Sequence, residues 1–122
     1  MLILYMGWLP YEDAIAGKSE EIILKHNPNW SSYGDTVHPV FIPDELRMNF
    51  EVVLQKEYRV DVSFTREGWH GRMRACRGVG AAMNQQQLSA WNEEHMKMLI
   101  ENASEEFWVK HYVSLAELQV TK

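Results

Sequence analysis

The chain has 122 residues, 46% of them hydrophobic, and a formal net charge of -5. That is enough apolar material for one modest core in a single domain spanning residues 1–122, and it excludes a disordered chain. An acidic protein repels phosphate backbones, no apolar run approaches the roughly 20 residues of a membrane span, and the lone Cys76 forms no internal disulfide; nucleic-acid binding and membrane insertion are therefore not expected, and the reducing cytoplasm is the default location.

Residues 2–6 (Leu2, Ile3, Leu4, Tyr5 and Met6) make a nearly unbroken apolar run, the pattern of a strand buried on both faces. Residues 7–10 end it, and residues 11–16 suit a helical turn. Ser19 is placed to cap a helix, with Glu20 and Glu21 in its first turn where negative charge suits the helix dipole. That helix runs to about His26, and Asn27-Pro28 stops it. Residues 29–43 are polar and hold Gly34, Pro39 and Pro43, which predicts a long irregular connection, mobile and lid-like. Asp44 caps a short helix ending near Asn49.

Residues 50–62 read as a strand, with Val52, Leu54, Tyr58, Val60 and Val62 at even positions. Thr65 caps a helix from Arg66 to about Cys76, and Arg77-Gly78-Val79-Gly80 terminates it. Asn84 opens a capping box with Gln87. The helix after it has Leu88, Trp91, His95, Met98 and Leu99 on one stripe, read as a face packed on a sheet. Residues 104–107 are expected to turn, and residues 110–120 to form a last strand. Strands with helices between them point to an α/β piece, or α+β taken alone.

The densest chemistry lies in residues 65–78, which hold four of the six arginines. At about 100° per residue, Trp69, Met73 and Cys76 share an apolar arc, and Arg66, His70, Arg74 and Arg77 the adjoining basic arc. Gly68, Gly71 and Ala75 fall opposite. A glycine inside a helix costs about 1 kcal/mol relative to alanine, so close packing against that side is expected. One reading makes this helix a pocket wall, with Trp69 as apolar platform and arginines as clamps for carboxylate or phosphate. The plainer reading leaves each arginine solvated or paired with the plentiful carboxylates.

The five histidines show no metal-binding spacing, and Cys76 has no second thiol. His95 lies on the apolar stripe, as a satisfied core histidine does. Cys76 lies on the apolar arc, as a buried inert thiol does. Gly78-Val79-Gly80 follows a helix and not a strand, so it fails the context of a dinucleotide loop.

Three stretches together resemble a bacterial family of class I S-adenosylmethionine-dependent methyltransferases. They are residues 2–6 leading into Trp8-Leu9-Pro10-Tyr11-Glu12-Asp13 and Ile15-Ala16-Gly17; Phe64-Thr65-Arg66-Glu67 through Trp69-His70-Gly71-Arg72-Met73-Arg74-Ala75-Cys76-Arg77-Gly78-Val79-Gly80; and Glu105-Glu106-Phe107 with His111-Tyr112 and the closing strand. The resemblance implies a three-stranded mixed sheet equivalent to the last three strands of that fold, with flanking helices and the final strand antiparallel between the other two. An insertion after the first strand would cover the substrate pocket.

The family's glycine-rich loop and ribose-binding acid have no counterpart here. The resemblance therefore implies the C-terminal, substrate-side portion of such an enzyme: S-adenosylmethionine as the cofactor of the intact family, none bound by this chain alone, and a small-molecule methyl acceptor. Trp8, Glu12, Trp69, Arg72 and Arg77 are expected to line one substrate-binding concavity; no catalytic residue and no metal ligand is assigned. The partner is expected to be a separately encoded cofactor-binding half or a second copy paired through the first strand. The alternative is a stand-alone binding or dimerisation domain that has lost methyl transfer.

Overall fold

The even-numbered apolar residues of the middle of the chain do form a strand, and it is the longest element of the sheet. The computed structural model describes residues 1–121. In chain order these form β1 (Leu2–Trp8), α1 (Ala14–His26), α2 (Asp44–Arg47), β2 (Phe50–Thr65), α3 (Arg66–Arg74), α4 (Gln85–Asn102) and β3 (Glu106–Val120). The sheet order is β1-β3-β2, and both ladders are antiparallel. The chain is thus a mixed α+β fold, and the mixed sheet expected from the sequence is antiparallel throughout. β1 and β2 run the same way but never touch, because β3 lies between them.

Strand partners across a ladder share a face, so the register divides the sheet. One face carries Trp8, Val109, Phe64 and Phe107 under α1 and α3, and α4, whose stripe was expected to pack on the sheet, packs chiefly on α1 and α3; Trp69, Met73, Trp91 and Leu99 complete the main core. The other face carries Ile3, Val52, Ala116 and Leu118 under Val40 and Ile42. The even-numbered positions of β2 do not all share one face: a register shift between Val52 and Leu54 sends Val52 to the second face while Leu54 pairs with Glu117 on the first.

Several local expectations change for identifiable reasons. Asp13, not Ser19, caps α1, its carboxylate accepting the Ala16 N–H at 3.0 Å. Ser19 is buried and its hydroxyl is used elsewhere. The loop of residues 29–43 is anchored at three points, where Trp30, Val40 and Ile42 bury themselves on the two faces of the sheet. β3 begins at Glu106, since Phe107 and Val109 alternate into the core where a turn was expected. β1 was expected to be buried on both faces; instead it is an edge strand with Leu2 61% and Leu4 57% exposed. The expected close approach to the glycine side of α3 is absent at Gly71, where an added Cβ would meet nothing within 4 Å. No helix among the described residues is long and apolar enough to cross a membrane.

Candidate functional site

A cavity of about 300 Å³ opens at the C-terminal end of β1. Three elements build it. β1 supplies Tyr5, Gly7 and Trp8, the long loop supplies Trp30, Ser32 and Asp35, and α3 with its C-terminal turn supplies Arg72, Cys76 and Arg77; Glu20 of α1 closes the base. Of the residues expected to line one concavity, Trp8, Arg72 and Arg77 do so.

Trp69 and Glu12 do not. Trp69 is fully buried; it stands behind Trp8, edge to ring at 5.7 Å, and is a core residue and not a platform. Trp69 and Met73 of the apolar arc are buried in the core against the sheet, whereas Cys76, expected to be a buried thiol, is half-buried and lines the cavity. Glu12 sits outside the cavity, where its carboxylate accepts two bonds from the Arg59 guanidinium at 2.7 and 2.9 Å. The plain reading of an arginine paired with a surface acid holds there, for an arginine of β2 and not of α3.

The cavity walls are fixed by polar contacts. The Trp8 indole donates to Glu20 Oε2 at 2.7 Å, and the Gly34 backbone N–H donates to Glu20 Oε1 at 2.9 Å. Gly34 has φ of 78°, a conformation that glycine adopts without strain and that lets the loop turn its N–H toward Glu20. Glu20 is only 5% exposed, and burial holds its carboxyl above the usual carboxylate range although both donors favour the charged form. Arg72 lies over the Trp8 ring at 4.8 Å, a cation–π contact. Asp35 accepts the Tyr112 hydroxyl at 2.9 Å, and the same hydroxyl lies 2.9 Å from His38 Nε2. Burial first, and then the Asp35 hydrogen bond, push the Tyr112 phenol above its ordinary value. Gly7 makes room for this group: a Cβ there would stand 2.7 Å from Asp35 Oδ2.

Glu20 and Asp35 were not singled out by the sequence. Glu20 looked like a dipole-balancing residue in a first helical turn, and Asp35 lies in a segment without periodicity. Only the loop's return to β1 brings them together.

A second polar cluster lies on the other side of α3. The Trp69 indole donates to Ser19 Oγ at 2.9 Å, Ser19 Oγ lies 2.9 Å from His95 Nε2, the Nδ1 atoms of His95 and His70 are 2.7 Å apart, and His70 Nε2 lies 2.8 Å from Asn92 Oδ1. Its polarity follows from its ends. An indole N–H only donates, and Asn92 Oδ1 also accepts from Arg74. Ser19 therefore gives its proton to His95 Nε2, His95 donates from Nδ1 to His70 Nδ1, and His70 donates from Nε2 to Asn92. Both imidazoles are neutral in this arrangement. Burial, then the His70 neighbour, hold His95 down to about 3, and burial lowers His70. His95 is a satisfied core histidine, as its stripe implied. His70 is its partner and not part of a basic arc.

The Gly78–Gly80 turn does not fit a cofactor cradle. Two of its three backbone donors are already used, with Val79 N–H bonded to Cys76 O at 3.0 Å and Gly80 N–H to Arg74 O at 3.0 Å, which leaves no run of successive free N–H groups to form a nest. Gly78 is instead required by packing: an added Cβ would stand 2.6 Å from the Trp30 ring. No group of three or more potential metal ligands occurs among the described residues. Comparison with known proteins returns no match, whether to family models, to curated proteins or to solved structures.

Proposed function

We propose that the chain is the substrate-side portion of an S-adenosylmethionine-dependent methyltransferase, with the cavity at the end of β1 as its small-molecule acceptor pocket, and that the cofactor is held by a separate half. The observation that carries this reading is the topology: an antiparallel last strand lies between the other two, and the segment following β1 returns to cover a cavity at that strand's end. The resemblance implies that arrangement. No residue of the chain is assigned catalysis.

The test begins with the DNA just upstream of the first codon. The expected result is a reading frame encoding a strand, a glycine-rich loop and a helix. Its product should co-purify with this chain and give saturable heats with S-adenosylmethionine in isothermal titration, while the isolated chain gives none. Stoichiometric cofactor binding by the isolated chain would overturn the division of labour. Absence of such a frame, or an upstream product that binds no cofactor with this chain present, would overturn the reading itself.

A second reading, a dimerisation domain, is favoured by the edge of β1. Met1 and Leu118 exchange both backbone bonds, at 2.9 and 2.8 Å, and Leu9 N–H reaches Lys110 O in the same register. Odd-numbered residues of β1 therefore bond to β3, and the N–H and C=O groups of Leu2, Leu4 and Met6 face outward. Their side chains are exposed as well, so apolar surface and an unpaired edge coincide. Two-fold pairing of β1 strands would cover both. Light scattering after size exclusion at micromolar concentration should give a dimer that Leu4→Lys converts to a monomer; a monomeric wild type would refute the pairing.

A further inference from the structure

We propose that the cavity at the end of β1 binds a zwitterionic amino acid with an aromatic or broad apolar side chain. This rests on the reading of that cavity as a ligand site and names the ligand's class.

Four charged groups share one cavity without pairing across it. Arg72 and Arg77 come from α3 and its C-terminal turn, Glu20 from α1, and Asp35 from the loop. Neither arginine forms an ion pair among the described residues, although two carboxylates line the same space. The carboxylates are held away. Glu20 is fixed by the Trp8 indole and the Gly34 N–H, and Asp35 by the Tyr112 hydroxyl. Arg72 is in turn laid on the face of Trp8. The cavity is thus lined by two guanidiniums and two carboxylates, with no ion pair formed between them.

Charges kept apart in a confined space favour a ligand that carries both signs. A carboxylate matches the planar fork of a guanidinium, and arginine holds it through two parallel bonds. An ammonium would find two carboxylates that feel each other, neither paired with a lysine or arginine; the one imidazole at hand is His38, 3.3 Å from Asp35 Oδ1. Mutual repulsion with Asp35 adds to burial in raising Glu20, and a cation there would relieve it. The apolar part of the ligand has a counterpart too, since Trp8 and Trp30 line the same cavity. A simple anion would satisfy the arginines but leave the carboxylates uncompensated, and a simple amine the reverse.

Three indole probes test this on the intact chain: L-tryptophan, tryptamine, which lacks the carboxylate, and indole-3-propionate, which lacks the ammonium. Isothermal titration should show saturable binding of L-tryptophan, with each truncated probe weaker by about tenfold to a hundredfold, the usual worth of a hydrogen bond to a charged group. In the Arg72→Gln/Arg77→Gln double variant the preference for L-tryptophan over tryptamine should vanish, and in Asp35→Asn its preference over indole-3-propionate should shrink. Either truncated probe binding within about twofold of L-tryptophan would overturn the zwitterion assignment. So would no binding of any probe, or a preference over tryptamine that survives loss of both arginines. The methyltransferase reading fails separately: no cofactor binding with the upstream product, while L-tryptophan still binds, would break that reading and leave this one standing.

Discussion

One short helix separates two polar clusters of opposite character. α3 sends His70 into a chain of hydrogen bonds in which every member is satisfied, and Arg72 into a cavity whose opposite charges form no ion pair with one another. In the first cluster each donor has one acceptor, from the Trp69 indole through to Asn92, and both histidines stay neutral. In the second, two guanidiniums and two carboxylates line one space and no ion pair joins the two signs across it, although Asp35 Oδ1 also lies 3.3 Å from His38 Nε2. A buried polar network is stable when every member is satisfied. Charges left separated at an accessible cavity are what a ligand can satisfy. Titratable groups gathered in one place mark a site only when their needs are unmet by the protein itself.

The largest effect is expected from cutting the closed cluster. His95→Ala would leave Ser19 and His70 without partners and open a cavity in the core. It should lower stability by about 3 kcal/mol, read as the urea midpoint at constant slope. A loss under about 1 kcal/mol would mean that the network contributes little to the fold.

The same cluster should make the protein acid-sensitive. The unfolded chain takes up histidine protons below about pH 6.5, whereas folded His95 refuses one until about 3. Stability from this group is thus complete above pH 6.5 and is lost as pH falls toward 3. At pH 5 the loss from His95 alone should be about 2 kcal/mol, and His70, also lowered, adds in the same direction. Glu20 acts the opposite way: its raised value means that its carboxylate costs stability at neutral pH and is relieved on protonation. Urea unfolding between pH 7 and 5 in a Glu20→Gln background, which removes the opposing contribution, checks the sign; an unchanged midpoint there would contradict neutral histidines in the fold.

The cavity side is sharpened by a pair of glycines. Gly78→Ala should displace Trp30 and cost about 1 to 3 kcal/mol, while weakening L-tryptophan. Gly71→Ala, with open space around it, should instead raise stability by up to about 1 kcal/mol through helix propensity. Equal effects at the two positions in a thermal melt would contradict the packing described. The smallest change should come from Arg59→Ala, which breaks only the solvent-exposed pair with Glu12; its urea midpoint should stay with the wild type.

What the sequence by itself determined was local. The Asn84–Gln87 capping box, the Thr65 cap, the stripe through Trp91, His95 and Leu99 and the alternation of β2 all depend on neighbours within a turn or two along the chain, and all are present. Tertiary structure decided the rest. Asp13 displaced Ser19 as a cap because Ser19 is claimed by Trp69 and His95, 50 and 76 residues away. Periodicity put Trp69 and Arg72 on one helix but could not say that the apolar arc, facing the sheet, removes Trp69 from the cavity. Nor could it bring Glu20 and Asp35 to face Arg72 and Arg77, since their meeting depends on how residues 29–43 fold back over the sheet, where burial of Val40 and Ile42 fixes the path. Spacing along a chain encodes which side of an element a residue takes. Which sides meet is set by the packing of whole elements, and in this protein that packing makes the site.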